Sequence, residues 1–318
     1  MPLGVAIVGV GKVGSTIAFA LLLQGLADRL LLTGPHQEKV LGEMHDLRHA
    51  GAFLPHPVEI NTCPLQEVTG SDIVILTASR TIPTMKDRLE LLQGNATLFR
   101  EIIPVLSQNN PNAIFIVVTN PVDVMTYLTL RWGELPAHQV MGTGTLIDSG
   151  RFRSLIGTYS GIHPSDVHAY ILGEHGESEF PVLSSAQVGG KTLRDELPVC
   201  RTTCPLKTLP EIFAEAKDGG MMVYRYKGYT NYAIALATIT LLEAVTKDSG
   251  RILPVSTLLE GYLGVEGVCL SVPAVIGRKG ILKTLELDFS PEEQEAFRRS
   301  AEKMKAIIRL VLSETHSL

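Results

Sequence analysis

The sequence predicts an α/β protein with a doubly wound parallel sheet, followed by an α+β domain. Short apolar runs alternate with helical patterns through the first half of the chain, which is typical of strands that crossover helices bury on both faces. A glycine-rich turn, Gly9-Val10-Gly11-Lys12-Val13-Gly14, joins the first run to the first helix. The alternation stops near Gly142-Thr143-Gly144. At roughly 150 residues per domain, a chain of 318 residues has room for about two domains.

The elements of the first half follow from hydrophobic periodicity. Strands are predicted at residues 3–8, 30–32, 73–77 and 114–119. Helices are predicted between them, at residues 13–26, 37–49 and 89–106. Because a crossover between parallel strands is right-handed almost without exception, these elements are expected to wind into one doubly wound sheet.

The second half has a different pattern. An apolar strand at 167–172 precedes a polar, proline-bearing stretch at 191–209, and helical periodicity returns over 212–247. A last helix is predicted over 291–313, where Ser290 is suited to the N-cap and Pro291 to the first helical position. We therefore expect one domain over residues 1–143 and a second, α+β domain over residues 144–318.

Composition excludes several functional classes. The chain has 28 Lys and Arg against 33 Asp and Glu, a net charge of −5, and no block of like charge, which argues against binding to nucleic acid. There is no basic signal-peptide region and no apolar stretch long enough to span a bilayer, so we expect a cytoplasmic protein without a membrane partner. Since Cys63, Cys200, Cys204 and Cys269 form no CxxC pair, free thiols and no metal site are predicted.

The glycine-rich turn predicts a dinucleotide site. Gly9 permits a tight turn, Gly11 lets the backbone approach a pyrophosphate, and Gly14 lets helix and strand pack closely. The helix that follows presents its first backbone N–H groups to the anion. Strand, motif and helix in this order indicate a Rossmann-type site for NAD.

The carboxylate that usually binds the ribose is missing. An Asp or Glu is expected about 20 residues beyond the motif, at the end of the second strand. This chain has Gly34 there. Without a carboxylate nothing repels a 2′-phosphate, and His36 or Lys39 would attract one. We therefore hypothesise a relaxed preference between NAD and NADP.

Three segments carry candidate catalytic groups. Asp148 and Arg151 are three residues apart, so on a helix they share one face. His175 lies in Gly173-Glu174-His175-Gly176-Glu177 at the end of an apolar strand, and Arg88 lies in a loop-to-helix run rich in Pro, Thr and Lys. Taken alone, a histidine between glycines is more often an ordinary strand-end residue, so its interpretation depends on the motifs around it.

From residue 5 to about residue 308 the chain closely resembles the lactate/malate dehydrogenase family of L-2-hydroxyacid dehydrogenases. Besides the three segments, the resemblance rests on Thr119-Asn120-Pro121-Val122-Asp123, Leu253-Pro254-Val255-Ser256 and Val272-Pro273-Ala274-Val275-Ile276. It implies an NAD(P)-dependent oxidoreductase that interconverts a 2-oxo acid and a 2-hydroxy acid.

The resemblance also implies a role for each residue. His175 would be the acid/base, with an unperturbed pKa of ~6.5 that suits both directions at neutral pH. Asp148 would orient its ring and stabilise the imidazolium. Arg151 would hold the substrate carboxylate through a bidentate pair, and Arg88 would polarise the carbonyl. The remaining predicted contacts are Asn120, Thr230 and Ile82 for the substrate, and Gly9, Gly11, Lys12, Val13, Gly14, Gly34, Thr77, Ala78 and Asn120 for the cofactor.

The substrate is harder to predict. A gap-free alignment of residues 77–88 puts Ile82 at the position that discriminates substrates, where lactate dehydrogenases usually have Gln and malate dehydrogenases Arg. Ile82 pairs with no second carboxylate, so malate would carry an unpaired charge into the site, although Arg80 or Lys86 would partly substitute if the register slips.

Two further positions bear on the substrate. Tyr229 stands where the family tends to have a small residue; it either fills space beside a small substrate or, with Ile82, shapes an apolar pocket for a longer one. The Glu174 and Glu177 that flank His175 match the lactate form. We therefore predict an L-lactate dehydrogenase, with a malate dehydrogenase or a dehydrogenase of bulkier apolar 2-hydroxy acids as alternatives.

The resemblance also bears on regulation and assembly. Arg153 and His168 match the basic pair with which bacterial lactate dehydrogenases bind fructose 1,6-bisphosphate between subunits; otherwise they are an ordinary helix cation and a strand-face residue. A homotetramer or homodimer is expected. The non-enzymatic alternative is a cofactor-binding structural or sensing protein, which is expected to have lost a catalytic group.

Overall fold

A computed structural model describes residues 3–80, 88–193 and 207–315. The helices, in chain order, are α1 (Lys12–Gln24), α2 (Gln37–Ala50), α3 (Arg88–Asn109), α4 (Val122–Gly133), α5 (Leu146–Ser160), α6 (Leu209–Lys227), α7 (Tyr232–Thr246) and α8 (Pro291–Thr315). The strands are β1 (Gly4–Val8), β2 (Arg29–Thr33), β3 (Glu59–Thr62), β4 (Ile73–Leu76), β5 (Ile114–Val117), β6 (Val140–Gly142), β7 (Val167–Leu172), β8 (Phe180–Val188), β9 (Lys191–Thr192), β10 (Arg251–Tyr262), β11 (Val265–Gly277) and β12 (Gly280–Thr284).

The first half forms the doubly wound parallel sheet that the sequence predicts. Its strands pair in the order β3-β2-β1-β4-β5-β6, all parallel, with Val5 opposite Leu30 on one side and Ile73 on the other. β1, β4 and β5 are buried along their whole length, which explains their continuous apolar runs. The strand order reverses between β1 and β4, so a ligand crevice opens at their carboxyl ends.

The sheet does not stop at the predicted domain boundary. β10, β11 and β12 continue it with antiparallel pairing, and Ser256 on β10 lies opposite Gly142 on β6. Among the described residues, one sheet of nine strands results. These strands and the short β3 and β6 are not evident from the sequence, because their attachment depends on partners far away in the chain.

The remaining strands, β7, β8 and β9, form a small antiparallel sheet that packs on α5, and α5 in turn contacts α6. β7 has the bounds that the sequence predicts. The helical run predicted over 212–247 is two helices, α6 and α7, because the chain turns at Gly228, where φ is +81°.

α8 confirms the predicted C-terminal helix and its cap. The Glu293 N–H donates to Ser290 Oγ at 3.3 Å, while the Ser290 N–H donates to Glu293 Oε2 at 2.9 Å, a reciprocal capping box. The helix packs against β8 and β11, and so lies beside the strand ends that carry the site. Within the described ranges, no helix is both long and apolar enough to cross a membrane.

Candidate active site

A cleft of about 840 Å³ opens at the carboxyl ends of β1, β2 and β4. Gly9 follows β1, and its N–H donates to the Thr33 carbonyl oxygen at 2.9 Å. Thr77 follows β4, and its hydroxyl donates to the Gly9 carbonyl oxygen at 2.5 Å. Most of the predicted cofactor contacts line this cleft: Gly9, Gly11, Lys12, Val13, Gly14, Gly34, Thr77 and Ala78. Asn120 is not among the residues that line it.

The three motif glycines have different surroundings. A Cβ on Gly14 would overlap the Gly9 carbonyl oxygen, and one on Gly9, where φ is +103°, would overlap the backbone of Ala78. A Cβ on Gly11 would meet nothing within 4 Å. Folding therefore accounts for Gly9 and Gly14, whereas the space over Gly11 lies at the N-terminus of α1 and fits a bound pyrophosphate.

The charges of the cleft also suit an anionic cofactor. None of the described residues that line it is an Asp or Glu, whereas Lys12, Lys39 and Arg80 bring cations. His36 and Gly34 lie in the lining at the start of α2, beyond the end of β2. The cleft therefore offers positive charge and no repulsion to the phosphates of a nicotinamide dinucleotide.

One side of the cleft is closed by the turn between α6 and α7. Thr230 and Tyr229 line the cleft there, and Lys12 Nζ lies 3.8 Å from the centroid of the Tyr229 ring. Asn231 Nδ2 donates to Thr16 Oγ1 at 2.8 Å, which fastens the turn to α1. Tyr229 thus makes a cation–π contact at the cofactor cleft, a partner that its sequence position did not indicate.

Asp148, Arg151 and His175 come together as the sequence predicts. His175 Nδ1 donates to Asp148 Oδ2 at 2.6 Å, and Arg151 Nη1 donates to Asp148 Oδ1 at 2.8 Å. Asp148 and Arg151 lie one turn apart on α5, and His175 follows β7, which packs on α5. Asp148 is buried, while the His175 side chain remains 25% exposed, so part of the imidazole is accessible.

Asp148 changes the proton equilibrium of the ring. Burial favours the neutral imidazole, but the Asp148 carboxylate outweighs it through its charge and hydrogen bond and raises the pKa of His175 to about 9. Burial also disfavours the carboxylate, yet His175 and Arg151 together lower the pKa of Asp148. The pKa of His175 thus lies above the unperturbed value near ~6.5. At neutral pH His175 therefore carries its proton, so the ring can serve as an acid.

The His175 loop is held by groups that the sequence analysis gave no role. The His175 N–H donates to Asp123 Oδ2 at 2.7 Å, and burial raises the pKa of Asp123 to about 6. The Glu174 N–H donates to the buried Ser300 Oγ of α8 at 2.7 Å, and Lys303 Nζ lies 2.9 Å from Glu174 Oε2. Asp123 belongs to the family motif at residues 119–123, so its importance could have been recognised from the sequence. Nothing in the sequence around Ser300 points to His175.

Arg151 lies against a pair of glycines on α6. A Cβ on Gly219 would approach Arg151 Cδ to 3.3 Å, and one on Gly220 would approach Arg151 Nη1 to 3.3 Å. Glycine inside a helix costs about 1 kcal/mol relative to alanine. The pair leaves room for the guanidinium, a function that the sequence analysis missed.

Asn120 is placed by a buried asparagine. Asn95 Nδ2 donates to the Asn120 carbonyl oxygen at 2.7 Å, and Asn95 Oδ1 accepts from the Arg80 N–H at 2.8 Å. Ile82 and Lys86 lie outside the described residues. Arg88 begins α3, but its side chain is likewise outside the described part.

Arg153 and His168 lie on neighbouring elements, α5 and β7. Arg153 Nε donates to the Ser149 carbonyl oxygen at 3.3 Å, and His168 is exposed. Cys63 and Cys269 are free thiols, while Cys200 and Cys204 lie outside the described residues.

Family models cover both halves of the chain. A model described as lactate/malate dehydrogenase, NAD binding domain, matches residues 3–142, and one described as lactate/malate dehydrogenase, alpha/beta C-terminal domain, matches residues 145–315. The chain belongs to the lactate/malate dehydrogenase family. The resemblance read from the motifs is thereby confirmed, as is the fold class.

Relatives of this lactate/malate dehydrogenase family member span nearly its whole length. It is 39% identical over 305 residues to an L-lactate dehydrogenase of Thermoanaerobacter sp. (strain X514), covering 96% of this chain and 98% of that protein. It is 40% identical over 300 residues to one of Gloeobacter violaceus, covering 94% and 91%. A crystal structure of minor L-lactate dehydrogenase from Enterococcus mundtii in the ligands-bound form matches with a TM-score of 0.91 and 34% identity, covering 97% of this chain and 98% of that one.

Proposed function

We propose that this family member is an L-lactate dehydrogenase, which interconverts pyruvate and L-lactate with a nicotinamide cofactor. The observation that carries the proposal is the Arg151–Asp148–His175 array, in which one buried carboxylate orients an acid and holds an anion-binding arginine. Relatives that bear the name L-lactate dehydrogenase support the choice of substrate.

In the proposed reaction His175 donates its proton to the carbonyl oxygen of pyruvate, and the cofactor, when bound, supplies the hydride to carbon. Asp148 stabilises the imidazolium before transfer and keeps Nδ1 protonated after it. Arg151 exchanges part of its pairing with Asp148 for a bidentate pair with the substrate carboxylate. Arg88 would polarise the carbonyl as negative charge develops on oxygen.

The substrate preference is tested by a panel of 2-oxo acids. We expect pyruvate to give the highest kcat/KM, because Ile82 offers no partner to the second carboxylate of oxaloacetate. A higher value for oxaloacetate would make the chain a malate dehydrogenase, and a higher value for 2-oxoisocaproate or phenylpyruvate would favour bulkier apolar substrates. No turnover with any of the four would favour the non-enzymatic alternative.

For the cofactor we propose NAD with appreciable use of NADP. Support comes from Gly34, which replaces the ribose-binding acid, and from a cleft with Lys39 and no carboxylate in its described lining. The test is kcat/KM with NADH and NADPH for the wild type and Gly34→Asp. The variant should favour NADH by about tenfold more, through repulsion of the 2′-phosphate. Gly42→Asp, an exposed position outside the lining, is the matched control. A wild-type NADH preference of about 10³ or more, roughly 4 kcal/mol, would contradict the proposal.

We further propose a homotetramer or homodimer in the cytoplasm, with residues 1–143 binding the cofactor and 144–318 completing the catalytic site. Arg153 and His168 would bind fructose 1,6-bisphosphate between subunits. Light scattering reports the assembly. A pyruvate saturation curve that the bisphosphate leaves unchanged would contradict the allosteric site, and Arg153→Gln should abolish any response.

A further inference from the structure

Glu179 is a buried acid beside His175, and it has no role in the proposed reaction. It stands immediately before β8 and is only 6% exposed. One carboxylate oxygen of Glu179, one of Asp148 and a ring nitrogen of His175 all lie within 4.8 Å of one another. Within the described ranges its carboxylate takes part in none of the hydrogen bonds of the site.

The charges around Glu179 come from several elements. Asp148 and Arg151 face it from α5, His175 from its own loop, and Lys217 from α6. Lys217 Nζ also donates to the Glu177 carbonyl oxygen at 2.7 Å, which holds this cation over the loop. Asp123 reaches the same histidine from α4 through the His175 N–H.

These surroundings make the charge of Glu179 depend on pH near neutrality. Burial and, after it, the neighbouring Asp148 carboxylate raise the pKa of Glu179 to about 8, against the opposing pull of His175, Lys217 and Arg151. Glu179 is therefore neutral at neutral pH and becomes a carboxylate over the range in which His175 begins to lose its proton. A new negative charge beside an imidazolium stabilises it.

We propose that Glu179 is a positioning residue that holds the proton on His175 in alkaline solution and so extends the pH range of oxo-acid reduction. The kinetic part of the proposal rests on the proposed acid/base role of His175; the electrostatic part does not. Glu179 acts only through His175, and each proton that it releases goes to solvent.

The direct test is an NMR titration of the full-length protein with labelled histidine, in which the His175 signal is assigned by its loss in His175→Asn. Glu179→Gln keeps the shape and removes the charge. We expect the His175 midpoint to fall by about half a pH unit, which is about a threefold weaker hold on the proton. Glu179→Asp, which retains a carboxylate, should restore most of it. Glu177→Gln, on the same loop but 68% exposed, should leave the midpoint unchanged.

Kinetics give a second readout. The alkaline midpoint of kcat/KM for pyruvate should fall with the NMR midpoint in Glu179→Gln, whereas a merely structural role would lower the melting temperature and leave both midpoints in place. Glu179→Met, which also removes the charge, serves if the glutamine variant does not fold. An unchanged His175 titration in a folded, charge-free variant would overturn the proposal. A shifted titration in a protein without pyruvate turnover would uphold the electrostatic part of the proposal and reject the proposed function together with the kinetic part.

Discussion

The cofactor cleft and the His175 site are built in opposite ways. Residues 9–14 form a continuous segment of the cleft, and Gly34 and Thr77 join it at the ends of neighbouring parallel strands. The His175 site draws on α4, α5, α8 and the loop between β7 and β8, with partners separated by 27 residues for Asp148, 52 for Asp123 and 126 between Glu174 and Ser300. A short motif can specify the first kind of site, whereas the second requires the whole fold.

Their electrostatics also differ. The cleft presents cations and, within its described lining, no carboxylates, so it attracts phosphates. The His175 site gathers Asp123, Asp148 and Glu179 around one histidine; the pKa of Asp148 is lowered, whereas the pKa values of Asp123 and Glu179 are raised. One region is organised to bind charge and the other to hold protons.

The largest expected effect is a loss of turnover at the His175 site that leaves binding at the cofactor cleft unchanged. His175→Asn should lower kcat for pyruvate by about 10²–10⁴-fold, because the proton donor is lost. NADH binding, measured by fluorescence titration, should stay within about twofold of the wild type, since the cleft is untouched. His163→Asn, at an exposed position, is the control. Near-native turnover in His175→Asn would refute the acid/base assignment.

The next prediction distinguishes two glycines of the cofactor cleft, one needed for folding and one for binding. Gly14→Ala should lose about 3 kcal/mol of unfolding free energy, because its Cβ would overlap the Gly9 carbonyl oxygen. Gly11→Ala should keep its stability and lose about tenfold in NADH affinity, because its Cβ enters the space left for the pyrophosphate. Urea unfolding and fluorescence titration measure the two quantities. If both variants lost stability equally, the distinction between folding and binding glycines would fail.

Ser300→Ala tests the long-range anchoring of the His175 loop. The Glu174 N–H would lose its acceptor, and we expect a loss of about 1–3 kcal/mol in unfolding free energy. The value of kcat should fall by less than tenfold, because no reacting group is removed. Ser154→Ala, on an exposed turn of α5, is the matched control. A stability equal to that of the control would show that α8 does not hold the loop through this bond.

The smallest effect concerns pH. Burial lowers the pKa of His175, but the surrounding carboxylates, Asp148 foremost, raise it to about 9. Because the protonated ring is the active form in reduction, kcat/KM for pyruvate should be constant below that midpoint. Above it the value should fall by about tenfold per pH unit. Lactate oxidation needs the neutral ring and should rise towards the same midpoint. A midpoint near ~6.5 in both directions would show that Asp148 does not act on the proton of His175.

Most of the parallel half of the fold was predictable from the sequence. Strands buried on both faces read as continuous apolar runs, and the predicted strand at 167–172 and helix at 37–49 agree with the structure to within a residue. The hairpin of β10 and β11 was missed because antiparallel addition to the edge of β6 leaves no local signature. The raised pKa of His175 could not be predicted for a related reason, since the sequence does not give the 2.6 Å distance to Asp148.

The Rossmann-type turn, the absence of an acid at Gly34 and the candidates Asp148, Arg151 and His175 can be recognised from the sequence, because each belongs to a short contiguous segment. The contacts by which Asp123 and Ser300 hold the loop, Gly219 and Gly220 make room for Arg151, and Glu179 lies beside His175 arise only when the chain folds. The physical reason is that hydrogen bonds and charge interactions act over a few ångströms in space, whatever the separation along the chain.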